Sequence, residues 1–131
     1  MRILLFVTTF VCLILIVGGE ALACDCMTPS AEECFRRADV VFEGEVVRVD
    51  RIPDGIATSY TFRVNKALKG PTVQEVTIFG TGSNCDATFD LNVVYRVYAR
   101  EYEGKLRSGL CSGNQVLRKK PRIRRKNVNY Q

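Results

Sequence analysis

A small, mainly β barrel preceded by one short helix is the fold class that three features of the sequence predict. Between Val40 and Leu110 run about five segments rich in β-branched and aromatic residues, the clearest of them alternating apolar with polar. Gly, Pro, Asn and Asp in turn-forming combinations separate them. The one helical signal, a capping pattern at Ser30, lies ahead of them all. An antiparallel sheet of this size must hide its edges, and closing on itself does so.

The chain opens on a leader. Arg2 gives a short basic start, Ile3 to Val17 ("ILLFVTTFVCLILIV") is apolar, and "GGEALA" ends in the small-residue pattern Ala21-Leu22-Ala23 that suits a signal peptidase. The apolar run is short for a bilayer span of about 20 residues, and no basic stop-transfer cluster follows it. Residues 1–23 therefore read as a signal peptide. Its removal leaves one domain, no transmembrane segment, and a secreted, extracellular protein. Cleavage also makes Cys24 the first residue, with a free α-amine, in an oxidising compartment. Two other fates stay open: retention as an uncleaved anchor, or lipoprotein anchoring through an acylated Cys24, for which Ala21 is a mediocre signal.

The elements follow in order. Ser30-Ala31-Glu32-Glu33 is a capping box, so "AEECFRRA" is expected to be helical, with Glu33 reaching back to its N-cap and Pro29 stiffening the approach. Past Asp39 the period changes to two. "VVFEGEVVRV" (40–49) is expected as a strand with a bulge or a close backbone approach at Gly44. After the Pro-Asp-Gly turn of "RIPDGIA", "TSYTFRVNKAL" (58–68) sets Tyr60, Phe62 and Val64 on one face and Thr61, Arg63 and Asn65 on the other. "KGP" at 69–71 breaks this strand and "TVQEVTIFG" forms the next. Beyond the loop "GTGSNCDATFD", "NVVYRVYAREY" (92–102) and "KLRSGL" (105–110) make a hairpin that turns at Glu103-Gly104.

Charge divides sharply along the chain. The formal net charge is +5, yet residues 24–117 hold 11 Lys and Arg against 13 Asp and Glu. The tail "RKKPRIRRKNVNYQ" (118–131) holds seven basic residues and no acid. Such a run is expected to be disordered and solvated, and it suits anionic glycans or another anionic surface as a partner. Nucleic acid is not expected, since only Tyr130 offers a stacking ring there and the chain reads as exported. With no histidine, neither a Ser–His triad nor a histidine-ligated zinc can be built. Glu43 and Glu45 alternate on a strand and read as solvent-facing. Cys24 and Cys26 lack neighbours that would complete a metal site. The expectation is a protein that is no enzyme and carries no cofactor or metal of its own.

Apart from Cys12 in the leader, the cysteines are Cys24, Cys26, Cys34, Cys85 and Cys111, so two bridges at most can form and one thiol is left over. Spacing does not choose the pairing. In an extended segment residues i and i+2 share a face. If both Cys24 and Cys26 bond to the barrel, Asp25 faces out and the start of the mature chain becomes a rigid wedge with its amine at the tip. Staples with no further role would look the same.

The order of these pieces resembles a known family. "CDC" at the cleavage site, Pro29, "ADVVFEGEVVRV", the single later cysteine of "GSNCDATFD", and "LCSGNQVL" together are similar to the N-terminal inhibitory domain of the tissue inhibitors of metalloproteinases, from Cys24 to about Leu117. The resemblance implies a five-stranded, netrin-like OB-fold Greek-key barrel over residues 24–117. It implies the bridges Cys24–Cys85 and Cys26–Cys111. It further implies a secreted inhibitor of a zinc metalloendopeptidase, in which the Cys24 α-amine and carbonyl oxygen chelate the catalytic zinc of the protease. Asp25, Cys26, Met27 and Thr28 would lie along the cleft like a peptide, with Ser83 and Asn84 as a second contact. On residue type alone, Met27 fits the rim of the core equally well, and Ser83-Asn84 fits an ordinary polar turn.

Three departures from the family pattern carry consequences. Asp25 stands where the family places a side chain in the protease's specificity pocket, and a carboxylate is costly to bury in an apolar pocket. It implies weak binding to enzymes with such pockets, or a target whose pocket is cationic or polar. Cys34 lacks its usual later partner and is expected to be a free thiol, either buried or available for an intermolecular bridge. The second domain of the vertebrate inhibitors is replaced by the basic tail. The competing reading is a non-inhibitory netrin-like module that contacts matrix, cell envelope or another protein.

Overall fold

The computed structural model describes Met1 and residues 24–27, 29–53 and 57–119. Thr28, the turn at 54–56, the leader from residue 2 and the tail beyond 119 lie outside the described residues. The single described helix, α1 (Ala31–Arg37), begins where the capping pattern placed it: Ser30 Oγ accepts from the Glu33 amide at 3.2 Å. The box is only half formed. Instead of reaching back, the Glu33 carboxylate pairs with Arg36 and with Arg37 at 2.6 Å, because two guanidinium groups outbid one neutral amide. The Arg36 hydrogen bond, and after it Arg37, holds this carboxyl below its ordinary value against an opposing push from desolvation. At the other end Lys69 Nζ donates to the carbonyls of Phe35 (3.0 Å), Arg36 (3.3 Å) and Ala38 (2.5 Å), a cation placed on the orphan acceptors of the helix terminus.

Strands β1 (Val40–Arg51), β2 (Thr58–Lys69), β3 (Glu75–Phe79), β4 (Val93–Tyr102) and β5 (Lys105–Arg107) follow, all paired antiparallel in the spatial order β3-β2-β1-β4-β5. The sheet curls until its two edge strands meet, where Lys105 Nζ of β5 sits over the Phe79 ring of β3 at 5.4 Å. The result is a nearly closed five-stranded barrel of OB type, mainly β as the sequence predicts. Such tight curvature needs bulges, and β1 supplies them: its register against β2 shifts three times, once at Glu43/Gly44. A Cβ on Gly44 would stand 2.8 Å from the Arg63 carbonyl oxygen, so only glycine permits the two backbones to close there. The β4–β5 hairpin turns at Glu103 and Gly104, both with positive φ (51° and 73°), the geometry of a two-residue type I′ connection.

The barrel is filled by rings. Phe62, fully buried, meets Phe42 at 5.2 Å and Phe89 at 5.0 Å, edge to face, and Phe89 meets Tyr95 at 5.1 Å. Val46, Ile78, Val97 and Ala99 complete the fully buried set in this core. Outside the barrel, α1 covers Val41 and Tyr98 with Ala38 and Cys34. Cys34 is a free cysteine, 7% exposed, closed over by Gly113, on which any Cβ would fall 2.5 Å from its Sγ.

Two sequence expectations are corrected. Glu43 and Glu45 do share the outer face, but both are paired with arginines there, Glu43 half-buried and Glu45 buried. Arg96 donates to Glu43 at 2.6 and 3.0 Å, Arg63 donates to Glu45 at 3.0 Å, and Glu45 is only 7% exposed. A central strand is flanked on both sides, and long arginines from β2 and β4 fold over its carboxylates. The second concerns the tail. A further strand, β6 (Gln115–Lys119), pairs with β4, bringing Arg118 and Lys119 into the sheet although the charge pattern placed them in the tail. All five of its residues are exposed, so no hydrophobic alternation announced it.

Candidate functional site: the bridged N-terminal edge

Cys24 to Met27 runs without regular secondary structure and is fixed to the barrel by covalent bonds. Cys24 bonds to Cys85, 61 residues away, with 5.5 Å between Cα atoms. Cys26 bonds to Cys111, 85 residues away, with 5.2 Å between Cα atoms. Burial alternates as the period-two argument requires. Cys24 and Cys26 are half-buried, whereas Asp25 is exposed and Met27 is 87% exposed. Met27 therefore fills no core rim and presents its side chain outward.

The two anchor points are themselves joined. Leu110 donates its amide to the Cys85 carbonyl at 2.8 Å, Ala87 donates to Ser108 at 3.0 Å, and Asp86 and Gly109 form an isolated antiparallel bridge between the segments. The 108–114 segment is in turn tied to β4. Asn114 Oδ1 accepts from the Tyr98 amide at 2.9 Å, and the buried Ser108 hydroxyl donates to the Tyr98 carbonyl at 2.8 Å. The edge is thus triangulated: two bridges run to two segments that hydrogen-bond to each other.

Ser83 and Asn84 lie exposed immediately before Cys85, on the same covalent anchor as Cys24. The group that shapes their loop is Asp86, which the sequence reading did not single out. Its carboxylate accepts from the amides of Thr81 (2.6 Å), Gly82 (2.9 Å) and Ser83 (3.2 Å) and from the Thr81 hydroxyl (2.9 Å). Successive amides aimed at one carboxylate make a small anion nest that holds the loop folded. Beside it a polar hollow of about 350 Å³ is lined by Thr58, Tyr60, Ser83, Asn84 and Asp86 among others. Leu110 is the other residue missed. It is 58% exposed, and its neighbour Cys111 is the one bonded to Cys26. Leu110 and Met27 each adjoin one half of the Cys26–Cys111 bridge, a relation between distant segments that no local pattern carries.

Chemically, this edge can enter a cleft as a peptide without the conformational freedom of one. An extended segment keeps its backbone freedom unless it is tied down, and here alternate residues are tied while the residues between them point away. Thr28, the next residue of the expected contact, lies outside the described residues. Among the described residues no three His, Cys, Asp or Glu side chains gather in a way that could hold a metal, and no helix is long and apolar enough to cross a membrane.

No family model matches the chain. Metalloproteinase inhibitor 3 of Gallus gallus is 27% identical to it over 132 aligned residues, covering 95% of this chain and 62% of that protein. Metalloproteinase inhibitor 3 of Xenopus laevis is 28% identical over 129 residues, covering 91% of this chain and 60% of that protein. The chain therefore spans about three-fifths of the length of the curated relatives it matches. Over an alignment that takes in nearly the whole chain, barrel and bridged cysteines included, the chain is similar to these two metalloproteinase inhibitors.

Proposed function

We propose that the chain is a secreted inhibitor of a zinc metalloendopeptidase and that it acts through Cys24. In this reading residues 1–23 are removed, and the Cys24 α-amine and carbonyl oxygen take the place of the hydrolytic water on the zinc of the target. A catalytic zinc keeps three protein ligands and one water-filled position, and that water is its nucleophile. An amine nitrogen at about 2.0–2.1 Å, with the adjacent carbonyl, would displace it. The inhibitor escapes cleavage because no residue precedes Cys24 to complete a scissile bond. The observation that carries the reading is the double anchoring of Cys24 and Cys26 to hydrogen-bonded segments of the barrel, which leaves the edge little conformational entropy to lose on docking. The names of the two relatives support the same partner class.

The test is an alanine placed before Cys24 in the mature protein. Blocking the amine with a peptide bond is expected to lower inhibition at least a hundredfold while leaving the fold intact, as checked by thermal unfolding. An extended protein that inhibits as well as the original refutes chelation and leaves a surface-binding module. Acidity supplies a second readout. A free α-amine has an ordinary pKa of about 7.7–8.0 and must lose its proton to ligate zinc, so inhibition should weaken as pH falls below neutrality.

A further inference from the structure

We infer that the target carries a cationic pocket just beyond its zinc, so that it is a metalloendopeptidase that prefers an acidic residue after the scissile bond. The inference rests on the chelation reading above and adds the identity of the enzyme to it. A zinc-bound carbonyl stands where the scissile carbonyl of a substrate stands, so the residue that follows it faces the first subsite on the leaving side. That residue is Asp25.

Three observations make its carboxylate decisive. Asp25 is exposed between two half-buried, bridged cysteines, so the backbone cannot rotate the side chain away from the cleft. Among the described residues it has neither a hydrogen bond nor an ion pair, so no described cation is bound to it. The segments that flank the edge, 81–89 and 108–114, contain no Lys or Arg and add the acid Asp86. Arg37 and Arg100, which line a hollow with Cys111, are the described cations on this side of the barrel, and neither pairs with Asp25, so its carboxylate arrives unpaired among the described residues. An apolar pocket would strip its water and return nothing, whereas an arginine or lysine replaces that water with a charge-assisted hydrogen bond. Met27 and Leu110, 87% and 58% exposed, supply the apolar surface that would surround and dry such a pair.

The experiment compares the mature protein with Asp25→Asn, Asp25→Leu and the alanine-extended form. Each is assayed against two zinc endopeptidases, one selecting an acidic and one a large apolar residue after the scissile bond. The unmodified protein is expected to favour the first enzyme at least tenfold. Asp25→Asn should lose at least tenfold against that enzyme alone, and Asp25→Leu should reverse the preference. Equal inhibition of both enzymes, a preference for the apolar pocket, or inhibition of neither overturns the inference. If Asp25→Leu then gains inhibition of the apolar-pocket enzyme, the wedge survives and only the cationic pocket falls. If the alanine-extended form inhibits undiminished, chelation falls and the inference falls with it. Asp25 is exposed, so unchanged thermal unfolding of both variants is expected and excludes misfolding as the cause.

Discussion

Removing either bridge by a double Cys→Ala change should cost the domain the same stability, although the two loops differ in length. Taken alone, the 61- and 85-residue separations correspond to about 4.3 and 4.6 kcal/mol in the chain-entropy model. The bridges, however, are not independent in the unfolded chain. Cys24 and Cys26 are two residues apart, so whichever bridge remains already brings the other pair to an effective separation of about 28 residues. Each single loss then amounts to about 3.6 kcal/mol, and loss of both to about 8 kcal/mol. The second figure falls within the whole stability expected of a domain this size, so the doubly reduced form should be largely unfolded. Urea unfolding of Cys24→Ala/Cys85→Ala and Cys26→Ala/Cys111→Ala under oxidising conditions reads this directly. With an m-value of about 1.5 kcal/mol/M, both midpoints should drop by about 2.4 M. A difference of more than about 1 kcal/mol between the two variants, or a loss in either below about 1 kcal/mol, refutes the shared-loop argument.

Two further outcomes follow from the fold. Gly44→Ala forces a methyl group against the fixed Arg63 carbonyl at 2.8 Å and should lower stability by about 2 kcal/mol, seen as a fall in Tm of about 10 °C. Because the Glu33 carboxyl is held below its ordinary value of 4.5, its pairing stabilises the fold fully above that value and is lost as pH falls through the depressed one. The difference in Tm between the native chain and Glu33→Gln, small because the site is exposed, should therefore be present at neutral pH and vanish in acid.

What the sequence revealed, it revealed through local chemistry. Ser30 started the helix, Gly44 marked the bulge, Glu103-Gly104 made the turn, and the period-two rule turned Asp25 outward between its cysteines. The features that escaped it depend on neighbours distant in the chain. Glu45 alternates like a solvated residue and is buried only because Arg63 and Val94 lie on either side of it in the sheet. Strand β6 has no buried face to print a pattern. Its residues pair because β4 has a free edge there, not because they are apolar. Asp86 looks like any loop acid until Thr81, Gly82 and Ser83 turn their amides toward it. Lys69 caps a helix more than thirty residues earlier.

The symmetry of the two bridges in stability is also what allows their roles to be separated. If they were staples only, the two single-bridge variants would lose equal stability and lose binding in parallel. The edge gives them different positions. The Cys24–Cys85 bond holds the residue that carries the proposed zinc ligands and joins it to the loop of Ser83 and Asn84. The Cys26–Cys111 bond holds the chain two residues further on and joins it to the segment of Leu110. Losing the first frees the ligand-bearing residue itself. Losing the second leaves that residue anchored and loosens the exit from the cleft. Under chelation the first variant should therefore lose more inhibition than the second at matched stability, most of it through faster dissociation, since a loosened terminus weakens a formed complex more than it slows encounter. Equal losses of inhibition would mean that the bridges serve the barrel alone, and the position of one of them on Cys24 would then have no bearing on the protease.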